Sequence, residues 1–235
     1  MDILSPNTAI ITAAGSGRRM SSTTKKQYLH LDGIPILIRS LEPFFASNSI
    51  SHIIVAAPED SLEYTRELIA DFYDDDAKPY LVVPGGVERQ DSVFAALQNC
   101  PPDTDLVFIH DGVRPFISQQ LLEELEALAL QKGAVIPAAR IKNTVKQVEA
   151  DFVVNTLQRE RLIQVFTPQV FGYELLVNSY EKAYQDGFVS TDDSALVEYY
   201  GHKVYYHLSS DINIKITDEW DFTLAHLLIE HHLYN

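Results

Sequence analysis

Apolar runs of strand length recur along this chain, each followed by a segment with helical spacing. They begin at residues 8–13 (TAIITA) and continue at 53–57, 80–83 and 106–109. Runs without polar alternation suit strands buried on both faces of a sheet. Helical patterns occupy 35–46, 61–73, 92–98 and 117–132. In the last of these Leu121, Leu122, Leu125 and Leu128 form one stripe, with Ser118 placed to cap the helix and Gly133 to stop it. Such alternation is the pattern of βαβ units, and it predicts an α/β fold with a mostly parallel sheet flanked by helices.

A further apolar strand at 134–139 leads into a stretch where Thr144, Val145, Val148, Phe152 and Val153 are separated by polar residues, a spacing closer to a two-stranded arm than to a helix. An exposed arm of that kind seeks a partner. Helices at 173–185 and 192–200, a strand at 203–208 and a closing helix at 219–232 complete the pattern. With no internal repeat, low-complexity tract or linker in 235 residues, the chain reads as a single domain, 1–235, with a β-arm excursion at about 140–160.

Composition narrows the function. With 18 Lys and Arg against 33 Asp and Glu, the formal charge is −15, which argues against nucleic acid and anionic membranes as partners. Any polyanion must therefore bind in one local basic pocket. Cys100 is the only cysteine, which leaves no internal disulfide and no cysteine-based metal cluster. No segment approaches the roughly 20 apolar residues of a membrane span, and no export signal opens the chain. The expected location is cytoplasmic.

Three loops carry the chemistry. The first strand ends in Ala13-Ala14-Gly15-Ser16-Gly17-Arg18-Arg19, and Lys25 and Lys26 follow, placing four cations within nine residues of a small-residue turn. Small residues let backbone N–H groups approach a phosphate, and cations complete its neutralisation. The dinucleotide motif would need Gly where Met20 stands, and the P-loop spacing is absent. The second loop, Gly85-Gly86-Val87-Glu88-Arg89-Gln90-Asp91-Ser92, opens a helix, whose free N–H groups suit a base or a phosphate; Asp91 or Ser92 would also serve as an ordinary N-cap. The third, His110-Asp111-Gly112-Val113-Arg114-Pro115, lies where ligands of open parallel sheets collect. Its Asp111 and Arg114 suit a sugar hydroxyl or metal and a phosphate, or simply each other, and His110 reads as a packed strand-end residue. Later come Arg159, Thr167-Pro168-Gln169, Thr191-Asp192-Asp193 and Asn213-Ile214-Lys215, with Thr191 a plausible N-cap, Thr167 a turn residue and Lys215 a solvated cation when taken singly.

Together, AAGSGRRM with KKQYL, GGVERQDSV, HDGVRPF, TPQVF, STDDSALVE and NIKIT resemble, in order and over nearly the whole chain, the 2-C-methyl-D-erythritol 4-phosphate cytidylyltransferase family of the non-mevalonate isoprenoid pathway. The ribitol 5-phosphate cytidylyltransferases are near relatives. The resemblance implies a Rossmann-like fold and a nucleotide site formed by Thr12, Ala13, Ala14, Gly15, Ser16, Gly17, Gly85, Gly86, Arg89, Ser92, Asp111 and Gly112. It implies that Arg19 and Lys26 act on the triphosphate of CTP and that Arg159 and Lys215 position the polyol phosphate, whose site also includes Asp111, Arg114, Thr144, Thr167 and Thr191. It further implies Mg²⁺, held mainly by the CTP phosphates with Asp111 as a candidate ligand, and a homodimer in which the arm bearing Thr144 and Arg159 crosses to the second subunit. The chain departs from the family pattern at Asn143, where Asp is usual, at Phe166, where Gln is usual, and at Val113, a residue type shared with the ribitol enzymes. Ribitol 5-phosphate as acceptor and a noncatalytic nucleotide or sugar-phosphate sensor are the alternative readings.

Such a transfer needs no nucleophile triad. The attacking group is a phosphate monoester with a second pKa of about 6, already dianionic at neutral pH. Repulsion between polyanions limits the reaction, which calls for fixed cations and a metal.

Overall fold

The apolar runs pair as their lack of alternation requires. The computed structural model describes residues 6–15, 24–74, 77–210 and 212–234. In chain order its elements are β1 (Thr8–Thr12), β2 (His30–Leu31), β3 (Ile34–Pro35), α1 (Ile36–Ala46), β4 (His52–Ala57), α2 (Leu62–Ala70), β5 (Tyr80–Pro84), α3 (Arg89–Leu97), β6 (Leu106–Asp111) and α4 (Gln119–Lys132). There follow β7 (Ala134–Arg140), β8 (Lys146–Glu149), β9 (Phe152–Thr156), β10 (Ile163–Val165), β11 (Gln169–Gly172), α5 (Tyr173–Asp186), α6 (Asp193–Tyr199), β12 (Tyr205–Leu208) and α7 (Glu219–Glu230).

Eight strands form the central sheet in the order β10-β7-β11-β6-β1-β4-β5, with β12 also paired to β7. The β1, β4, β5 and β6 pairings are parallel, as is β12 with β7, whereas β10 and β11 run antiparallel to their neighbours. The sheet is therefore mixed but mostly parallel, with seven α-helices among the described residues. One apolar cluster packs Leu37, Leu41, Phe44, Phe108, Leu122 and Leu125 together, and another gathers Ile10, Ile54, Val107, Phe171, Leu176 and Tyr180. Adjacent residues of β6, Val107 and Phe108, enter different clusters, as a strand covered on both faces demands.

Strand order reverses beside β1: the chain runs outward through β4 and β5, then returns to β6 on the other flank of β1. Ligands of such sheets bind outside the carboxyl ends of the strands at this point. Here those ends are Thr12 and Asp111, paired in register.

Several sequence expectations shift. The helix expected from residue 92 starts at Arg89, and its N-cap is Glu88 rather than Asp91 or Ser92; Glu88 and Asp91 form a capping box, with the Glu88 N–H donating to Asp91 Oδ2 at 3.1 Å. Asp192, not Thr191, caps α6, its Oδ1 accepting from the Ala195 N–H at 3.1 Å. The Thr167 segment, read as a turn, leads into β11, which inserts between β6 and β7. Ser118 and Gly133 behave as expected: the Ser118 hydroxyl accepts from Leu121 N–H, and Gly133 takes the left-handed conformation with φ of 80°. The arm is a real hairpin, β8 against β9, with Val148, Phe152, Val153 and Val154 exposed on this chain.

Candidate active site

Two cavities open at the carboxyl ends of the parallel strands, one of about 390 Å³ and one of about 200 Å³. The larger is walled by the end of β1 and its loop (Thr12, Ala13, Ala14, Gly15), by Lys26, and by the turn into α3 from Gly86 to Arg89 together with Ser92. Arg114, Phe166, Thr167, Gln169, Thr191 and Asp192 contribute to the smaller. Arg89, Asp111 and Lys215 line both. Ligands held in the two cavities would therefore meet across this trio.

Asp111 is the hub. Its Oδ1 accepts from Arg89 Nε at 3.2 Å, and its Oδ2 accepts from Arg114 Nε at 3.1 Å and lies 3.0 Å from Lys215 Nζ. Burial alone would raise its pKa, but Arg89, Lys215 and Arg114 outweigh that and hold the carboxyl well below the usual range. The alternative in which Asp111 and Arg114 satisfy each other is thus realised, within a larger cluster. Lys215, far from being a solvated cation, is drawn into it. Arg89 also donates from Nη1 to Asp193 Oδ2 at 2.7 Å, and Asp193 Oδ1 accepts from the buried Tyr180 hydroxyl at 2.5 Å. Arg89 is fixed from two sides before any ligand arrives.

Below the trio, Thr167 ties β6 to the strand that follows it. The Asp111 N–H donates to Thr167 Oγ1 at 3.2 Å, and the Arg114 carbonyl lies 3.0 Å from His110 Nε2. A carbonyl only accepts, so Nε2 carries the proton; Nδ1, 2.8 Å from Thr167 Oγ1, then accepts from that hydroxyl. His110 is fully buried, and burial pushes its pKa down to about 4. It is a packed, neutral residue that orients Thr167 and Arg114, in keeping with its strand-end position.

The glycines of the second and third loops give close approach rather than contact. A Cβ on Gly85 would lie 2.3 Å from the Ala14 Cβ, and one on Gly112 would lie 3.2 Å from the Thr12 carbonyl oxygen. Ser92 is buried, with its Oγ accepting from the Gly86 N–H at 3.0 Å, so it shapes the turn that faces the larger cavity. Lys26 reaches toward the segment carrying Lys215, with Nζ 3.3 Å from the Ile216 carbonyl oxygen. Phe166, the departure from the usual Gln, lies under Arg114, whose guanidinium carbon is 5.6 Å from the ring centroid.

Ser16, Gly17 and Arg19 lie outside the described residues. Thr144 is exposed at the root of the arm, and Arg159 donates to the Lys142 carbonyl at 2.8 Å; neither lines either cavity of its own chain. Three residues that face or support the site lie within motifs singled out in the sequence but were given no role there: Gln27, Asp193 and Asn213. Gln27 lines the larger cavity with its Nε2 donating to the Ala13 carbonyl at 2.6 Å and its buried Oε1 without a partner. Asn213 spans Arg114 and Thr167, its carbonyl accepting from Arg114 Nη1 at 2.8 Å and its Nδ2 donating to the Thr167 carbonyl at 2.6 Å.

The family model described as 2-C-methyl-D-erythritol 4-phosphate cytidylyltransferase matches residues 7–231. The chain belongs to this cytidylyltransferase family. A 2-C-methyl-D-erythritol 4-phosphate cytidylyltransferase of Clostridium novyi is 39% identical over 228 residues, covering 97% of this chain and 98% of that protein. Another, from Symbiobacterium thermophilum, is 40% identical over 226 residues, covering 96% and 93%. Among solved structures, the 4-diphosphocytidyl-2C-methyl-D-erythritol synthase of Anaerococcus prevotii superposes with a TM-score of 0.84 at 32% identity, covering 95% of this chain and 97% of that one. As a cytidylyltransferase the chain is a nucleotidyltransferase, and its paired cavities have the form that joining a nucleotide to a second phosphate requires.

Proposed function

We propose that this cytidylyltransferase joins CTP to 2-C-methyl-D-erythritol 4-phosphate, giving the CDP-polyol and pyrophosphate. The observation that carries the reading is the sharing of Arg89, Asp111 and Lys215 between two cavities, each with its own lining cations. CTP occupies the larger, its phosphates along the 13–17 loop with Arg19 and Lys26, and its nucleoside toward the 85–92 turn. The polyol phosphate occupies the smaller, beside Arg114, Thr167 and Thr191.

The new bond forms between an oxygen of the polyol phosphate and the α-phosphorus of CTP, and the bond from that phosphorus to the bridging oxygen of pyrophosphate breaks. Lys215 and Arg114 hold the attacking dianion, and Lys26 and Arg19 offset the charge growing on the leaving side. The ion pairs with Arg89, Arg114 and Lys215 fix Asp111 as an anion, so it orients cations and does not serve as a proton carrier. No general base is needed, since the acceptor is already ionised.

The donor set fits a hard divalent cation only in part-protein, part-substrate coordination. Among the described residues no three His, Cys, Asp or Glu side chains gather as a cage, and Asp111 is the carboxylate at the junction of the cavities. Mg²⁺ prefers one or two carboxylates with substrate phosphates. Asp111 would hold it, and bound Mg²⁺ would neutralise the triphosphate and polarise the α-phosphorus. The enzyme acts in the cytoplasm as a homodimer, with Thr144 and Arg159 of the arm serving the partner's acceptor site; the exposed apolar arm and its lack of contact with its own cavities support this reading.

Transfer of label tests the reaction. With CTP labelled in the α-phosphate, the label should appear wholly in the CDP-polyol; label in released pyrophosphate or orthophosphate would contradict attack at the α-phosphorus.

A further inference from the structure

Asp192 and Asp193 are adjacent carboxylates at the start of α6 with different tasks. Asp192 caps the helix and accepts from Gln169 Nε2 at 2.9 Å. Asp193, the first residue of the helix, turns inward, and its side chain is 1% exposed. A buried carboxylate is costly unless an opposite charge and hydrogen bonds compensate it. Arg89 Nη1 donates to its Oδ2 at 2.7 Å, and the Tyr180 hydroxyl donates to its Oδ1 at 2.5 Å. Burial, and then the Asp193 carboxylate, push the pKa of that hydroxyl well above its ordinary value, so it stays protonated and remains a donor.

The same contacts fix Arg89. Its Nε is engaged by Asp111 and its Nη1 by Asp193, and among the described residues its Nη2 makes no hydrogen bond. Burial alone would lower the guanidinium pKa, but Asp193, and then Asp111, outweigh it and keep the group charged. The free edge belongs to a side chain that is 21% exposed and lines both catalytic cavities. A planar guanidinium held at two of its nitrogens has one orientation left for the third. With the Asp111 bond alone, the group would be free to turn about it.

Folding does not depend on this ion pair to join α3 to α6. Gln90 ties the intervening loop to α3, donating to the Phe188 carbonyl at 3.2 Å and accepting from the Ser190 N–H at 3.0 Å. The Tyr180 ring stacks on Phe94 of α3 with centroids 5.8 Å apart. The two helix starts therefore stay together through Gln90 and Phe94, and the Asp193 charge is left to act on Arg89.

We propose that Asp193 is a positioning residue for the phosphoryl transfer: backed by Tyr180, it holds Arg89 so that the Nη2 edge serves the junction of the two cavities. This role rests on the reading that the substrate phosphates meet beside Arg89, where a donor acts chiefly on charge developing in the transition state.

Kinetics and arginine NMR on the full chain distinguish this role from a purely structural one. Asp193→Asn keeps the shape and removes the charge; it should lower kcat about tenfold while KM for CTP and for the acceptor changes less than about threefold. Tyr180→Phe keeps the ring and should lower kcat about threefold in the parent but not in Asp193→Asn, because both act through one carboxylate. In an Arg89→Met background, Asp193→Asn should cost less than about twofold. In protein labelled in the arginine side-chain nitrogens, the signals lost in Arg89→Met identify Arg89; its Nη resonances should be separate in the parent and averaged in Asp193→Asn. That readout needs no turnover, so an inactive parent would defeat the proposed reaction while the resonances still decide the role of Asp193. Urea unfolding checks each variant, and if Asp193→Asn does not fold, Tyr180→Phe decides by the same two readouts. Additive losses in either pair, a kcat within about twofold of the parent in folded Asp193→Asn, or unchanged Nη resonances would overturn the positioning role.

Discussion

Asp111 shows how one buried carboxylate can organise a polyanion site in a chain of formal charge −15. Three cations converge on it from the loop after β6, from α3 and from the segment before α7, so ligand phosphates meet guanidinium and ammonium groups already held in place. Removing Lys26 or Lys215 deletes a transition-state donor while leaving the sheet untouched. Each alanine variant should lower kcat by roughly 10² or more at saturating substrates, about 3 kcal/mol of barrier. A near-normal kcat in either would remove that lysine from the mechanism. His110 gives a stability prediction with a definite sign. Burial depresses its folded pKa to about 4, below the ordinary histidine value of 6.5, so only the unfolded chain takes up the proton between these values. Stability is fully present above pH 6.5 and falls as pH drops toward 4. Between pH 6.5 and 5.0, above most carboxylate titrations, the loss should be about 2 kcal/mol by urea unfolding, and His110→Gln should abolish that slope. The equal slope in both proteins would contradict the assignment. At this scale the pairing of Asp111 with Arg114 was legible because they stand three apart at a strand end, whereas Asp193 and Asn213 stood in recognised motifs without a legible role. Their partners, Arg89 and Thr167, are 104 and 46 positions away, and no local pattern encodes such pairs.

Elements with long, uniform apolar runs were read well from sequence, and the short strand β11 was not. The parallel strands β1, β4, β5 and β6 and the helix α4 follow their patterns, with Ser118 and Gly133 at the expected ends. β11 has only four residues, and its insertion between β6 and β7 is a property of the sheet as a whole, so the sequence signal there was a turn. α3 begins earlier than its apolar spacing suggests because Glu88 and Asp91 cap each other ahead of the first buried apolar residue, Val93. The hairpin of β8 and β9 was legible from its broken alternation, and its exposed Val148, Phe152 and Val153 are what an arm docking on a second copy would present. Replacing residues 146–156 by a short turn should convert a dimer to a monomer in sedimentation velocity and raise KM for the polyol phosphate at least tenfold, with CTP binding little changed. Retained dimers would show that the arm does not carry the interface.

At the scale of the whole molecule, the reversal of strand order beside β1 creates the crevice, and loops from distant parts of the chain fill it with cations. The residues around that crevice were largely legible as candidates, because glycine turns and charged residues stood at strand ends, but their assembly into two cavities sharing Arg89, Asp111 and Lys215 appears only in three dimensions. That shared junction makes turnover depend on both ligands at once. The direct measurement is pyrophosphate release by the purified protein with CTP and Mg²⁺, in parallel with 2-C-methyl-D-erythritol 4-phosphate, ribitol 5-phosphate and no acceptor. Release with CTP and the methylerythritol phosphate, and negligible release with ribitol 5-phosphate or without acceptor, is the expected result. Equal release without an acceptor, or release only with ribitol 5-phosphate, would contradict the proposed reaction.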